Sequence, residues 1–176
     1  MYYKTSYTAP IGSLTLVSDG QNLVSILFER SARPSPILQN DLILQDGLPV
    51  FDLTRNWLDR YFSRQRPKTS ELPLLFTGSE FQQTVWQILQ TIPYGEVMSY
   101  GEIAKTVAQK FGKVRMSAQA VGGAVGHNPI PIVIPCHRVV GANGSLTGYG
   151  GGIMTKVRLL ELEGTDLSNM FLPKKN

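Results

Sequence analysis

The amino-acid sequence predicts a mixed α/β (α+β) protein: a small N-terminal β-sheet domain with a helix, and a mostly helical C-terminal domain with a winged-helix-like helix-turn-helix. Apolar alternation around an Asp19-Gly20 turn indicates the sheet, and two capping boxes in the second half indicate helices. Between them, residues 66–78 carry two prolines and a glycine without sustained periodicity. We therefore expect domains at residues 1–75 and 76–165, and a loose C-terminal tail at 166–176.

The first domain is predicted to open with a β-hairpin or meander. Apolar residues precede the turn at Leu14 and Leu16 and continue on the returning strand. The returning strand carries Leu23, Val24, Ile26 and Phe28. Further on, Leu53, Trp57 and Tyr61 are spaced four apart, which predicts a helix with these side chains on its buried face.

Two helices of the second domain are predicted from capping boxes, in which a first and a fourth residue exchange hydrogen bonds. Ser79 and Gln82 start the first helix, which stops at Pro93, and Ser99 and Glu102 start the second. The apolar stripes are Phe81, Val85, Ile88, Leu89 and Ile92 in the first helix and Ile103, Val107 and Phe111 in the second.

A third helix follows in "SAQAVGGAVGHNP", after a stop at Gly112, and ends at Asn128-Pro129. Two helices joined by a short turn in a basic neighbourhood match a helix-turn-helix, and an ordinary helical hairpin is the alternative. The small residues of the third helix are Ala118, Ala120, Gly122, Gly123, Ala124 and Gly126. Since each helical glycine costs about 1 kcal/mol, a neighbouring helix or a nucleic acid must approach this backbone closely.

The following segment is rich in turns. "PIPIVIPC" is apolar but interrupted by Pro129, Pro131 and Pro135, which predicts an extended segment that is not a central strand. Within "VVGANGSLTGYGGG" the tightest turn is expected at Asn143-Gly144, and "TKVRLLELEG" predicts a helix that ends at Gly164.

Composition narrows the class of protein. A chain of 176 residues can bury a core, its single cysteine cannot form an internal disulfide, and no apolar stretch is long enough to span a bilayer. The first residues show no signal peptide, so we expect a soluble, cytoplasmic protein with no membrane partner. One cysteine and two histidines, His127 and His137, are too few for a closed zinc site, and we predict no metal.

Positive charge is concentrated in the second half. Residues 1–100 contain 8 Lys+Arg and 9 Asp+Glu, whereas residues 101–176 contain 9 and 4. Between Val97 and Arg158 the only acid is Glu102. The basic residues near it in sequence are Lys105, Lys110, Lys113, Arg115, Arg138, Lys156 and Arg158. This excess predicts a phosphate-binding surface, with a solvated basic face as the alternative.

The single cysteine, Cys136 in "IPCHRVVG", is the candidate nucleophile. A lone cysteine is more often a small buried hydrophobe, but the adjacent His137 can accept the thiol proton and Arg138 adds positive charge. A carboxylate should hold the other histidine nitrogen. Glu161 and Glu163 on the last helix are both candidates, and their spacing does not separate them.

The stretch "IPCHRVVG", preceded by "PYGEVMSYGEIA" and "AVGGAVGHNPIP" and followed by "GYGGG" and "LLELEG", closely resembles the O6-alkylguanine-DNA alkyltransferases, also called methylated-DNA–protein-cysteine methyltransferases. The resemblance runs from about Phe81 to Gly164. It implies direct repair by a monomer that binds double-stranded DNA, flips out the O6-alkylguanine and moves its alkyl group irreversibly to Cys136. The resulting thioether consumes the protein in one turnover, and no cofactor is implied. Activity on O4-alkylthymine stays open.

The resemblance also implies roles for individual residues in the chemistry. His137 acts as the base through a water, and Glu163 is the acid behind that relay. Tyr100 crowds the phosphate beside the target base and can donate a hydrogen bond to guanine, which eases its departure as an anion. These three residues and Cys136 form the implied catalytic set.

Binding residues are implied in the same way. Tyr149 and Gly150 line the base pocket, the Val139 carbonyl receives the exocyclic amine, and Asn128 ties the recognition helix to the active-site segment. The small residues Ala120, Gly122 and Gly123 let this helix enter the minor groove, and Arg138, next to the active-site histidine, is also assigned to DNA binding. Gln119 departs from the family, because many members have an arginine there that fills the gap left by the flipped base. Weaker DNA binding or slower flipping is expected.

Two other functions compete with repair. A hydrolytic cysteine enzyme would use a Cys-His pair, but its histidine usually lies far from the cysteine in sequence, unlike His137. A damage-recognising DNA-binding protein with weak or no transfer activity is the second alternative, and Gln119 leaves room for it.

Overall fold

The structure, a computed structural model, describes residues 1–31 and 34–173. It consists of two compact units: Met1–Phe76 together with Pro129–Val133, and Thr77–Asn128 together with the chain from Ile134 onward. Within the described ranges, no helix has both the length and the apolar composition that a bilayer span requires. The mixed α+β class predicted from the sequence is confirmed.

The first unit is a twisted sheet with one long helix against it. Strands β1 (Tyr2–Ala9), β2 (Gly12–Ser18) and β3 (Leu23–Phe28) form an antiparallel meander, and β4 (Leu42–Leu44) pairs in parallel with β1. The order across the sheet is β3-β2-β1-β4. Helix α1 (Pro49–Phe62) packs against the three antiparallel strands, so the predicted meander and helix are both confirmed.

The predicted buried face of α1 is partly wrong. Trp57 and Tyr61 are buried, but Leu53 is 50% exposed. The buried face is centred on Val50, Phe51, Thr54, Trp57, Leu58 and Tyr61. A spacing of exactly four residues drifts around a helix that has 3.6 residues per turn, and the drift carries Leu53 off the apolar stripe.

The second unit is mostly helical. Its elements are α2 (Glu80–Leu89), β5 (Met98–Ser99), α3 (Tyr100–Lys110), α4 (Ala118–Gly126), β6 (Val139–Val140) and α5 (Ile153–Leu162). Both predicted capping boxes are confirmed: the Ser79 and Ser99 hydroxyls accept the backbone N–H groups of Gln82 and Glu102, each at 3.1 Å. Strands β5 and β6 pair in parallel and bring the start of α3 beside the chain that follows Cys136.

Helix α4 buries one face and leaves most of its small residues, other than Ala124, on the other. Val121, Ala124 and Val125 are buried, and the Ala124 carbonyl accepts the indole N–H of Trp86 on α2 at 2.9 Å. A Cβ added at Gly123 would meet nothing within 4 Å. Packing against a neighbouring helix therefore explains Ala124, but it does not explain the exposed glycine.

The segment predicted to be extended after α4 is a buried turn, so that expectation was wrong. Ile132 adopts a φ of 75°, which is rare for a β-branched residue. This turn directs two carbonyls at partners in the first unit: Pro129 accepts Ile26 N–H at 3.0 Å, and Val133 accepts the Thr69 hydroxyl at 2.8 Å.

The segment after α5 is not the loose tail that the sequence suggested. Phe171 donates its N–H to the Gly144 carbonyl at 3.2 Å and accepts the N–H of Leu146 at 2.8 Å. Leu167 and Met170 pack against the buried cluster of Val140, Leu146 and Leu160. Residues 174–176 of the predicted tail lie outside the described residues.

Candidate active site

Cys136 lies at the start of a single 3-10 turn, Cys136–Arg138, immediately before β6. Pro135 precedes the turn, the Cys136 N–H donates to Ile134 O at 2.8 Å, and the Arg138 N–H donates to Pro135 O at 3.0 Å. This tight turn points successive side chains in different directions, so Cys136 stays partly exposed while His137 is fully buried. Adjacent residues can thus serve one site from two sides.

Glu163 is the carboxylate that holds His137. The His137 Nε2 lies 2.5 Å from Glu163 Oε2, and both side chains are completely buried. Glu161, the other candidate left open by the sequence, is exposed on α5. A carboxylate acceptor at Nε2 selects the tautomer that carries its proton there and leaves Nδ1 as the basic nitrogen.

The Glu163 carboxylate is stabilised as an anion. Burial by itself would raise its pKa, but hydrogen bonds and charge from His137 and Arg138 hold the pKa of Glu163 well below its usual range. Burial also lowers the pKa of His137, against the opposing pull of Glu163. At neutral pH the pair is therefore an ionised carboxylate beside a neutral imidazole that can accept a proton.

Three side chains act on the Cys136 thiol, two by hydrogen bonds and one by its charge. The Asn128 amide hydrogen-bonds the sulfur and also donates to Ile134 O at 2.8 Å, and the Tyr149 hydroxyl reaches the sulfur from the following loop. Burial raises the pKa of the Cys136 thiol, while Asn128, the Lys156 charge and Tyr149 act to lower it. The thiol therefore stays protonated until a base removes its proton.

Lys156 is a buried residue of this site and not part of the basic surface predicted from the sequence. It is fully buried on α5, and its Nζ donates to Val139 O at 2.5 Å and to Thr147 O at 2.8 Å. Burial lowers the pKa of Lys156 to about 8. Its position in the same stripe as Leu159, Leu160 and Glu163 was the signal in the sequence that it points inward.

Tyr100 is the first residue of α3 and faces α4. A Cβ added at Gly122 would lie 3.9 Å from the Tyr100 ring. Burial raises the pKa of Tyr100, with a hydrogen bond to Thr147 acting in the opposite direction. A cleft of about 450 Å³ opens here, lined by Ser99, Tyr100, Gly101, Ala118, Gln119, Gly122, Gly141 and Ala142. Gln119, where the resemblance implies an arginine, is exposed at its edge.

The remaining predicted binding residues divide into two groups. Ala120, Gly123 and Gly150 are exposed and accessible to a ligand. The Val139 carbonyl accepts Lys156 Nζ, and Arg138 turns inward to Glu163. The exposed part of the predicted basic surface is Lys105, Lys110, Lys113, Arg115 and Arg158. Within the described ranges, no group of three or more His, Cys, Asp or Glu side chains could hold a metal ion.

Comparison with known proteins identifies relatives of this chain. Residues 80–165 match the model of the 6-O-methylguanine DNA methyltransferase DNA-binding domain, and residues 1–76 match the ribonuclease-like domain of the same proteins. A methylated-DNA–protein-cysteine methyltransferase of Haemophilus influenzae is 43% identical over 162 residues, covering 92% of this chain and 86% of the relative. One of Mycobacterium bovis is 43% identical over 164 residues, covering 93% and 92%.

A solved structure of a relative is also similar to this chain. The crystal structure of Mycobacterium tuberculosis OGT in complex with DNA is similar with a TM-score of 0.81 and 41% identity, covering 92% of this chain and 93% of that one. The two family models together account for both units of the fold. The resemblance seen in the motifs is confirmed, and the chain belongs to the family of methylated-DNA–protein-cysteine methyltransferases.

Proposed function

We propose that this protein repairs DNA by moving the alkyl group of O6-alkylguanine to Cys136 in one irreversible step. The observation that carries the proposal is the buried His137–Glu163 pair beside the single thiol. His137 accepts the thiol proton through a water, and the thiolate attacks the alkyl carbon. A C–S bond forms as the C–O6 bond breaks, and guanine leaves with the electron pair and is reprotonated, with the Tyr100 hydroxyl as donor. The product thioether has no carbonyl for water to attack, so one protein repairs one lesion.

DNA binding is proposed through α4 and the exposed cations near it. The exposed small residues of α4 allow close approach to a groove, and Lys105, Lys110, Lys113 and Arg115 are free to meet phosphates around it. The similarity to a relative crystallised with DNA supports this reading. Because Cys136 is only partly exposed and lies beside the buried His137, we propose that the target base leaves the stack to reach it. One protomer supplies every group of the relay, so we propose a monomer.

Intact mass spectrometry tests the proposal directly. The purified protein is incubated with a duplex carrying one O6-methylguanine, with Cys136→Ser in parallel and a second duplex carrying O4-methylthymine. We expect wild type, and not the variant, to gain one methyl group and to saturate at one per molecule. Duplex binding without any gain of mass would contradict repair and favour a protein that only recognises damage.

Gln119→Arg should raise the rate of methyl transfer, because an arginine fills the space left by the flipped base better than a glutamine does. A guanidinium can stack and carries charge, and a charge-assisted contact contributes about 1.5 kcal/mol or more, so we expect about a tenfold faster rate at limiting DNA. Gln109→Arg, exposed on α3, adds the same charge elsewhere in the second unit and serves as the control. Equal gains from both variants, or none from either, would show that Gln119 does not limit flipping.

A further inference from the structure

The Arg138 guanidinium is fully engaged inside the second unit. Its Nε donates to Glu163 Oε1 at 2.8 Å and its Nη2 donates to Glu163 Oε2 at 3.1 Å, the two-pronged geometry that a carboxylate accepts best. Its Nη1 donates to the Ile92 carbonyl at 2.7 Å, and the group lies 5.7 Å from the centre of the Tyr94 ring. The side chain is 11% exposed. Arg138 cannot reach a phosphate while it keeps these contacts.

The turn after α2, Ile92–Gly95, also contacts the Glu163 carboxylate and its arginine partner. The Gly95 N–H donates to Glu163 Oε1 at 3.0 Å, while Ile92 in the same turn accepts from Arg138. Gly95 has a φ of 85°, and a Cβ there would lie 3.1 Å from the Glu163 carbonyl oxygen. The turn therefore contacts both members of the ion pair, through a donor for the anion and an acceptor for the cation.

We propose that Arg138 is a positioning residue for alkyl transfer, which together with the Ile92–Gly95 turn holds the Glu163 carboxylate in place against His137, and that it is not a DNA contact. The inference rests on the proposed function, because it assigns Arg138 to the proton relay of that reaction. It reassigns a residue that the sequence placed in the basic surface.

Besides holding Glu163 in place, Arg138 affects the protonation of the His137–Glu163 pair through its charge. With His137 neutral, the Glu163 anion and the Arg138 cation cancel inside the protein. A proton taken by His137 adds a positive charge that Arg138 repels and Glu163 attracts. Among the described residues, the Lys156 charge also acts on His137, the Glu163 charge acts on Tyr149, and the Tyr94 ring faces Arg138. Removing the arginine charge therefore raises the pKa at which the His137–Glu163 pair takes up its proton and stops acting as a base.

The test is the pH dependence of methyl transfer in a single turnover. Wild type, Arg138→Gln and Arg138→Lys are compared across the titration range of histidine, with saturating protein and an O6-methylguanine duplex. For Arg138→Gln we expect the acid limb of the rate profile to move up by about one pH unit or more, so that rates below it fall about tenfold. Arg138→Lys keeps the positive charge but loses the two-pronged contact with Glu163. The acid limb of its pH–rate profile therefore stays near that of wild type, while the maximal rate at higher pH falls.

Arg60→Gln is the matched control. Arg60 on α1 pairs with Glu71 at 3.0 Å in the first unit, so this variant also loses an Arg–Glu ion pair, and its profile should match wild type. A uniform loss of rate in Arg138→Gln with an unmoved acid limb would overturn the inference. So would weaker duplex binding with a reduced salt dependence, the signature of a phosphate contact. Wild type that transfers no methyl group would instead overturn the proposed function.

Discussion

Glu163→Gln will transfer methyl groups to Cys136 at least about a hundredfold more slowly than wild type, while Glu161→Gln will react at the wild-type rate. The two carboxylates lie two residues apart on α5 or at its end, but one is buried against His137 and the other is exposed. A glutamine at 163 can still accept from Gly95, but it cannot stabilise the imidazolium that forms when the thiol is deprotonated. Stopped-flow measurement of methyl transfer under single-turnover conditions gives both rates.

The same substitution will destabilise the second unit. It leaves Arg138 buried without a countercharge, which typically costs about 3–5 kcal/mol in free energy of unfolding. In wild type the pKa of Glu163 is lower in the folded state than in the unfolded state. Its stabilising contribution is therefore complete above the unfolded pKa and is lost as pH falls through the lower folded value. Urea titration of both variants tests this, and equal stabilities would show that the pair carries no net stabilisation.

Trp86→Ala will have the largest effect on stability away from the reacting groups. Trp86 is 2% exposed, and its indole N–H links α2 to the Ala124 carbonyl of α4. Removing a buried tryptophan leaves a large cavity and should lower the free energy of unfolding by about 3–5 kcal/mol. Trp86→Phe keeps most of the packing and loses one hydrogen bond, so about 0.5–1.5 kcal/mol is expected from the bond itself.

Chemical denaturation followed by circular dichroism measures these differences. The chain has two tryptophans, Trp57 in the first unit and Trp86 in the second, so fluorescence of either Trp86 variant reports the first unit alone. Leu53→Ala serves as the control, because Leu53 is half exposed and its removal leaves no cavity. A loss below about 1 kcal/mol for Trp86→Ala would mean that α4 is not anchored through this side chain.

Local patterns in the sequence identified most elements of this fold. Two helix starts were predicted from capping boxes that each span only four residues, Ser79 to Gln82 and Ser99 to Glu102. The structure confirms both. The Asn143-Gly144 turn is also local: both residues have positive φ, at 59° and 87°. Such features need no knowledge of distant residues, which is why sequence alone predicts them.

Contacts between distant residues were harder to predict. His137 and Glu163 are 26 residues apart, and spacing alone did not distinguish Glu163 from Glu161; the family resemblance implied Glu163, and the fold brings it to His137. Arg138 and Lys156 look like surface cations because charged side chains are rarely buried. Each is buried because a partner from another element satisfies it: Glu163 for Arg138, and the Val139 and Thr147 carbonyls for Lys156.

The discontinuous first unit has a consequence for the order in which the chain folds. Its sheet lies within the first 76 residues, but the acceptor for Ile26 N–H is the carbonyl of Pro129. A ribosome delivers the N-terminal residues first, so the sheet must wait for more than fifty further residues before this bond can form. The nascent chain thus holds an incomplete sheet edge while α2, α3 and α4 are made, and the same late segment that completes this edge leads directly into Cys136.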